Sequence, residues 1–457
     1  MSHPLYPCRR LLLSALAATL LAACGGGGGD SDDPAIDDFS AERTAYFVGE
    51  RASLSVRFRG HRGEVDRGVG AVSSGVRVQT PWLEVDTTFT LTVHGNGPAP
   101  AARSITLPVS YRDRFQPLPE SRPLSGHAAV SLTDGSVLLI GGSRGLKTLS
   151  ERIDRFDPAT RDVMPLATMQ EGRAQPQAVL LPDGQVLIGG GSTSGHDSRL
   201  LERLDPRSGQ VQPAGRLSVP RVDMAAALLA DGRVLFCGGS TAGEGAELGI
   251  SRSCDLWDPA TQAVRRLDAA MTAPRSGHRM TRLRDGRVLV SGGFSTATPY
   301  RYAELFDPVS ETFRPVNAPV REVLSQQVAV LHTDGSVLLM GGETYTAEGL
   351  VPRAEVWCFD AGSDTFSARP PLARGRTLAA AVAVRDGRVL LFGGQTEPDR
   401  HSASAERYDP VAGGQALAAL DRERAYLSAN RLPDGRVLVA GGESTQGAFA
   451  DQLLIYE

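Results

Sequence analysis

Five arginines hold matching places in this chain. Arg173, Arg221, Arg275, Arg376 and Arg424 each stand ten residues before an aspartate that opens an Asp-Gly pair. Arg122 and Arg321 stand slightly further back from two more such pairs. A guanidinium is planar, always charged, and offers a fork of donors that matches carboxylate or phosphate oxygens. If the repeats close into a ring, equivalent positions form a circle near its central channel. The chemistry expected there is a cationic funnel for a carboxylate, sialate-like or phosphate ligand. The competing expectation is structural, each arginine bonding backbone carbonyls of the neighbouring repeat. Arginine abundance does not choose between them, because Lys147 is the only lysine among 48 basic residues.

Histidine and cysteine offer less chemistry. His127 and His278 lie seven residues before their turn aspartates, each after a Ser-Gly pair, and are expected to be satisfied within the fold. His196 and His401 fall on loops, and His332 beside a turn. No Cys/His spacing points to zinc and no carboxylate cluster to calcium. Nucleophile elbows and phosphate-cradling loops are absent, so no metal or cofactor is expected. Cys237 ends one strand and Cys254 lies on the next, so a cross-strand disulfide is one expectation and two buried thiols the other. Cys358, within Val356-Trp357-Cys358-Phe359, reads as core.

The elements that position these residues come from a repeat. TDGSVLLIGG, PDGQVLIGGG, ADGRVLFCGG, RDGRVLVSGG, TDGSVLLMGG, RDGRVLLFGG and PDGRVLVAGG place turn aspartates at Asp134, Asp183, Asp231, Asp285, Asp334, Asp386 and Asp434. Spacings of 48 to 54 residues are those of propeller repeats. Each unit predicts four strands. An apolar strand leads into an Asp-Gly hairpin, expected to be a two-residue type I′ turn. A second strand ends in Gly-Gly, where backbones converge. After a variable loop, a third strand ends in a turn that is Asp-Pro in most units, for which proline presets φ, and a fourth strand follows. The long loops share one face of the disc, and that face is the expected binding face.

This pattern resembles the kelch repeat over the C-terminal three-quarters of the chain, close to the galactose-oxidase-like branch. The double glycine is present in every unit. The tyrosine position holds Phe156, Leu204, Trp257, Phe306, Phe359, Tyr408 and Tyr456, and its tryptophan partner is replaced by Val163, Val211, Val264, Phe313 and Phe366. Unit seven stops at Tyr456-Glu457 without a fourth strand, while Phe115-Gln116-Pro117-Leu118 reads as an orphaned one. Docking it on the last blade would seal the ring. The resemblance implies an all-β chain with a seven-bladed kelch-type β-propeller over 113–457. Copper radical oxidases of that branch need a Tyr-His doublet and a cysteine cross-linked to tyrosine. No tyrosine here precedes a histidine, so copper chemistry is not expected. A sugar mutarotase resembling periplasmic kelch sialate epimerases stays open.

Upstream, Arg9-Arg10 and an apolar run from Leu11 to Ala22 form a targeting segment. Leu21-Ala22-Ala23-Cys24 looks like a bacterial lipobox, which makes 1–23 a lipoprotein signal peptide and Cys24 the lipidation site. Gly25 to Gly29 and an acidic run make 24–35 a flexible tether. Residues 36–112 alternate apolar and polar side chains, as in Leu54, Val56 and Phe58, and resemble a bacterial Ig-like β-sandwich. A net charge of −4 argues against nucleic acid as a partner. The expected protein is a lipid-anchored component of the bacterial cell envelope, on the outer membrane. It would hold an envelope protein or polysaccharide, with a carbohydrate-processing enzyme as the alternative.

Overall fold

A computed structural model describes residues 33–457, except 146–147, 242–248, 296–301, 321–323 and 348. Every regular element among the described residues is a β-strand. The signal peptide, Cys24, most of the tether, Arg321 and most of the Ser240 to Ser251 loop lie outside the described residues. Among the described residues no helix is long and apolar enough to cross a membrane.

Strands from Ala35 to Ser110 form a first unit of one three-stranded sheet, one four-stranded sheet and a short parallel pair. Period-two patterning does the work expected of it. Ser53–Arg59 turns Leu54, Val56 and Phe58 inward, where they meet Phe89, Leu91 and Val93 of Thr87–His94.

From Phe115 onward, seven four-stranded antiparallel sheets follow one another among the described residues. The first joins Ala128–Ser131, Val137–Ile140, Arg152–Phe156 and Val163–Thr168 in that order. The second strands are buried end to end, because each sheet is covered on both faces by its neighbours. One apolar cluster, for example, unites Val130, Leu138 and Ile140 of the first sheet with Val186, Ile188 and Leu204 of the second. The innermost strands touch in cyclic order, and the seventh, Ser428–Arg431, returns to the first, Ala128–Ser131. That last sheet joins Phe115–Ser121 to the three most C-terminal strands. Phe115 pairs with Tyr456, Gln116 with Ile455, and Pro117 with Leu454.

The Asp-Gly turns differ from the type I′ expectation. Positive φ falls on the glycine alone, as at Gly135 (88°), while the aspartate keeps ordinary backbone geometry. Leu132 donates to Ser136 and Gly135 to Leu132, which makes a three-residue loop closed by a glycine bulge. The aspartate instead supplies an acceptor: Asp134 Oδ1 takes the Ser136 N–H at 2.9 Å, and the same bond recurs in the other six units. Asp is repeated because its side chain completes the turn, and Gly because its φ does. The double glycines are required by crowding. A Cβ on Gly238 or Gly239 would stand 2.6 Å from the carbonyl oxygen of Arg275 or Val222.

The first unit sits on the Asp-Gly turn face of the last two sheets. Tyr111 donates its hydroxyl to the Gly435 carbonyl at 2.9 Å. Glu84 pairs with Arg385 at 3.2 Å and with Arg431. The loop-rich face therefore points away from the first unit.

Candidate functional site

The five matched arginines are in the blades, not on the channel wall. Their exposures are 0% to 2%. In each, Nη1 donates to the carbonyl of the first glycine of its own sheet's pair: Gly190, Gly238, Gly292, Gly393 and Gly441, at 2.7 to 3.4 Å. A carboxylate on the third strand completes four of them. Arg221 pairs with Asp255 at 3.0 Å, Arg275 with Glu304 at 3.0 Å, Arg376 with Glu406 at 2.9 Å, and Arg173 with Glu202. Arg424 takes Asp421 at 2.6 Å. The same four third-strand carboxylates accept the backbone N–H three residues before their arginine, at Gln170, Ser218, Thr272 and Ala373. These partners lie within the arginine's own sheet, which corrects the expectation of neighbouring-blade carbonyls. Neighbouring sheets are linked by the arginine backbone instead, as when Gly239 donates to the Arg275 carbonyl at 2.8 Å. Burial lowers the pKa of Arg173 to about 10. Buried, paired guanidinium groups of this kind cannot receive a ligand.

Two residues further along each repeat the geometry changes character. Gly126, Gln175, Asp223, Gly277, Gln326, Leu378 and Tyr426 all have φ between 52° and 66°. Backbone bonds run around them from sheet to sheet: Gly126 donates to Tyr426, Gln175 to Gly126, Gly277 to Asp223, Gln326 to Gly277 and Tyr426 to Leu378, at 2.6 to 3.2 Å. That belt surrounds the axis at the loop-rich end. Left-handed backbone is free for glycine and costs on the order of 1 kcal/mol or more for other residues. Five of the seven positions nevertheless carry a side chain, so this belt is one of the places, with outer turns such as those at Arg161 and Gln262, where side chains are kept against strain.

Those side chains line an open cavity of about 170 Å³, with Gln175, Gln177, Gln326, Asp223, Arg279, His127 and Tyr426 among its walls. Asp223 accepts from the Gln326 amide and lies beside Arg279, yet burial dominates and raises its pKa. Arg279 is pulled the other way, burial lowering its pKa against the attraction of Asp223. Burial also pushes the Tyr426 hydroxyl up to about 12, with help from Asp223, Glu443 and Glu343. On the rim, Glu343 accepts hydroxyl donors from Thr377 at 2.8 Å, Ser325 at 3.1 Å and Tyr345 at 3.3 Å. Phe294 and Tyr345 meet edge to face at 5.6 Å and are 38% and 55% exposed. His401 packs edge-on to Tyr426 at 6.5 Å. Each belt position stands eight residues before its turn aspartate, but that spacing does not say which way the position faces, and its residue type varies among Gly, Gln, Asp, Leu and Tyr.

The remaining candidates are placed as follows. Cys237 and Cys254 are joined by a disulfide between the second and third strands of the third sheet. Cys358 is a buried free thiol. His127 Nε2 lies 2.8 Å from the Ser428 hydroxyl. His278, 1% exposed, has no hydrogen-bond partner at either ring nitrogen, contrary to the expectation of a satisfied histidine. Burial and three nearby arginines hold it neutral. Arg122 lies 4.0 Å from Asp154 and donates to the Val163 carbonyl. Wider clefts of 630 and 530 Å³ open on the opposite face, along seams where Arg287 pairs with Asp364 and Arg233 with Glu311. Among the described residues no group of three His, Cys, Asp or Glu side chains is placed to hold a metal ion.

Comparison with known proteins agrees with this architecture. The Kelch motif model matches residues 376–413, the sixth sheet. Kelch-like protein 35 of Mus musculus is 26% identical over 189 residues, 41% of this chain; the match spans about a third (31%) of the mouse protein's length. Among solved structures, a fungal alcohol oxidase of the AA5 family, in complex with copper, superposes with a TM-score of 0.62 at 17% identity, covering 75% of this chain and 76% of that one. The chain thus carries a kelch motif on an all-β, kelch-type β-propeller fold.

Proposed function

We propose that this chain is a lipid-anchored cell-envelope binding protein. In this reading residues 1–23 are a lipoprotein signal peptide, Cys24 carries the lipid, and 24–35 is a tether. An Ig-like unit over 36–112 backs a seven-bladed propeller over 113–457 that holds an envelope protein or polysaccharide across its loop-rich mouth. The observation carrying this reading is the axial belt. Five side chains are kept at left-handed positions that glycine would occupy without strain, around a cavity facing away from the first unit. Protein-interaction propellers are what kelch repeats commonly build, and fold alone does not choose a ligand.

Anchoring and binding are tested separately. Cys24→Ser should release the protein from membranes into the soluble fraction. Cross-linking and pull-down from native envelope, with the intact chain and with Phe294→Ala/Tyr345→Ala, should show a partner retained by the first and lost by the second. Equal recovery by both would remove the mouth from the reading.

The second reading is an envelope carbohydrate-processing enzyme of the mutarotase or epimerase kind. Asp223 and Glu343 favour it, since carboxyl groups raised by burial are suited to proton transfer. An NMR anomerisation assay on acidic sugars decides it. Among the described residues no three His, Cys, Asp or Glu side chains are grouped to hold the copper of the fungal oxidase, and Cys237 is in a disulfide.

A further inference from the structure

We propose that the axial cavity binds a single neutral sugar unit, the terminus of a glycan, through Asp223, Arg279, Gln326 and Tyr426. The proposal rests on the binding reading above and names the ligand class of that same mouth.

The lining is matched to hydroxyl groups. Asp223 only accepts hydrogen bonds, Arg279 only donates them, and Gln175, Gln177 and Gln326 do both. A hydroxyl is itself both donor and acceptor, so two neighbouring hydroxyls on one ring satisfy an adjacent carboxylate and guanidinium at once. Charge argues against an anionic ligand. Asp223 and Arg279 already offset each other inside the cavity. An added anion would face Asp223, Glu343 and Glu443, which surround Tyr426.

Size and shape agree. At about 170 Å³ the cavity is well below the roughly 300–1,000 Å³ that drug-sized ligands occupy, so it holds one ring and not two. Tyr426 supplies an aromatic wall for the C–H face of a pyranose. Phe294 and Tyr345 continue that wall outward onto the rim, where the next unit of a glycan chain would lie.

The left-handed backbone makes the test clean. Asp223→Gly and Gln326→Gly remove the ligand-facing groups at positions where glycine relaxes the backbone; Gln326→Gly should unfold no lower in temperature than the parent, while Asp223→Gly also removes the carboxylate beside buried Arg279 and is read alongside Asp223→Asn, which keeps the side-chain volume. The intact chain is titrated by saturation-transfer NMR with glucose, galactose, mannose and N-acetylglucosamine, and with glucuronate and glucosamine as charged probes. The expected result is binding of at least one neutral sugar with Kd near ~1 mM, weakened about tenfold or more in either glycine variant. Binding that survives both substitutions overturns the proposal, as does preference for the charged probes or no neutral sugar bound at about 10 mM. If no sugar binds but the envelope pull-down still yields a protein partner that the glycine variants lose, the binding reading stands and the sugar assignment falls.

Discussion

The fourth and fifth sheets are neighbours with one backbone plan and opposite interiors. In the fourth, Arg275, just ahead of the first strand, forms a buried ion pair with Glu304 of the third, and Arg275 also holds the Gly292 carbonyl. In the fifth, the matching positions are Leu324 and Trp357, packed in one apolar cluster. Leu324 still accepts the interblade bond through its carbonyl, from Gly293 at 2.7 Å. The fold therefore requires the backbone link but not the charge pair. It also requires that charges stay balanced. In the seventh sheet Leu454 stands where the carboxylate would be, and Arg424 turns to Asp421. In the first, Leu124 replaces the arginine, and Asp154 is taken by Arg152 at 2.6 Å. Each charge lost from one strand is answered elsewhere, as expected when an unpaired buried charge costs more than a missing pair.

Breaking the fourth sheet on one side should have the largest effect. Arg275→Leu leaves Glu304 buried without its cation, and stability should fall by about 3–5 kcal/mol, read as a lower denaturant midpoint. A loss under ~1 kcal/mol would mean that the pair contributes little net stability to this sheet. The third sheet has the Arg221–Asp255 pair and the Cys237–Cys254 disulfide side by side. Closing a 17-residue separation, the disulfide should contribute about 3 kcal/mol, lost on Cys237→Ala/Cys254→Ala and measured against the fourth sheet's single-site loss.

The first sheet, lacking the matched arginine, carries His127, whose pKa burial lowers from 6.5 to about 4. The unfolded chain binds the proton more readily than the folded one between those values. Stability from the neutral, buried imidazole is thus complete above pH 6.5 and lost as pH falls toward 4, by roughly 2 kcal/mol after allowing for partial exposure. His127→Gln should flatten that slope; an unchanged slope would assign it to carboxylates. The smallest effect belongs to the exchange that copies one sheet into the other. Arg275→Leu/Glu304→Trp should lie within about 1 kcal/mol of the parent, recovering most of the single-site loss in a double-mutant cycle. If the double variant is as unstable as the single one, the equivalence of the two interiors fails.

Legibility followed the same division. The turn aspartates, glycine pairs and third-strand aromatics announced their strands because each does one local task, such as Asp134 accepting from Ser136. The orphaned Phe115 segment was legible from an unmatched edge, and it pairs with Tyr456. The arginine repeat left a shared mouth and a backbone bond as alternatives, and what recurs is a local bond to the first glycine of the pair. The turn type was missed because Asp-Gly serves both kinds of hairpin, and φ at Asp134 distinguishes them.

What the chain's residues alone determined was the periodic part: strand positions, turn chemistry, the Phe115 strand that joins the last sheet, and the candidates for the disulfide. These depend on neighbours close in sequence or on a pattern that recurs. Only the tertiary structure decided which recurring positions face inward to their own sheet and which face the axis. Two residues separate Arg221 from Asp223, and no spacing rule tells that one guanidinium is sealed while the next carboxylate lines a cavity. That assignment is set by the handedness of the backbone at seven positions held against one another, an arrangement that exists only when the sheets stand around a common axis.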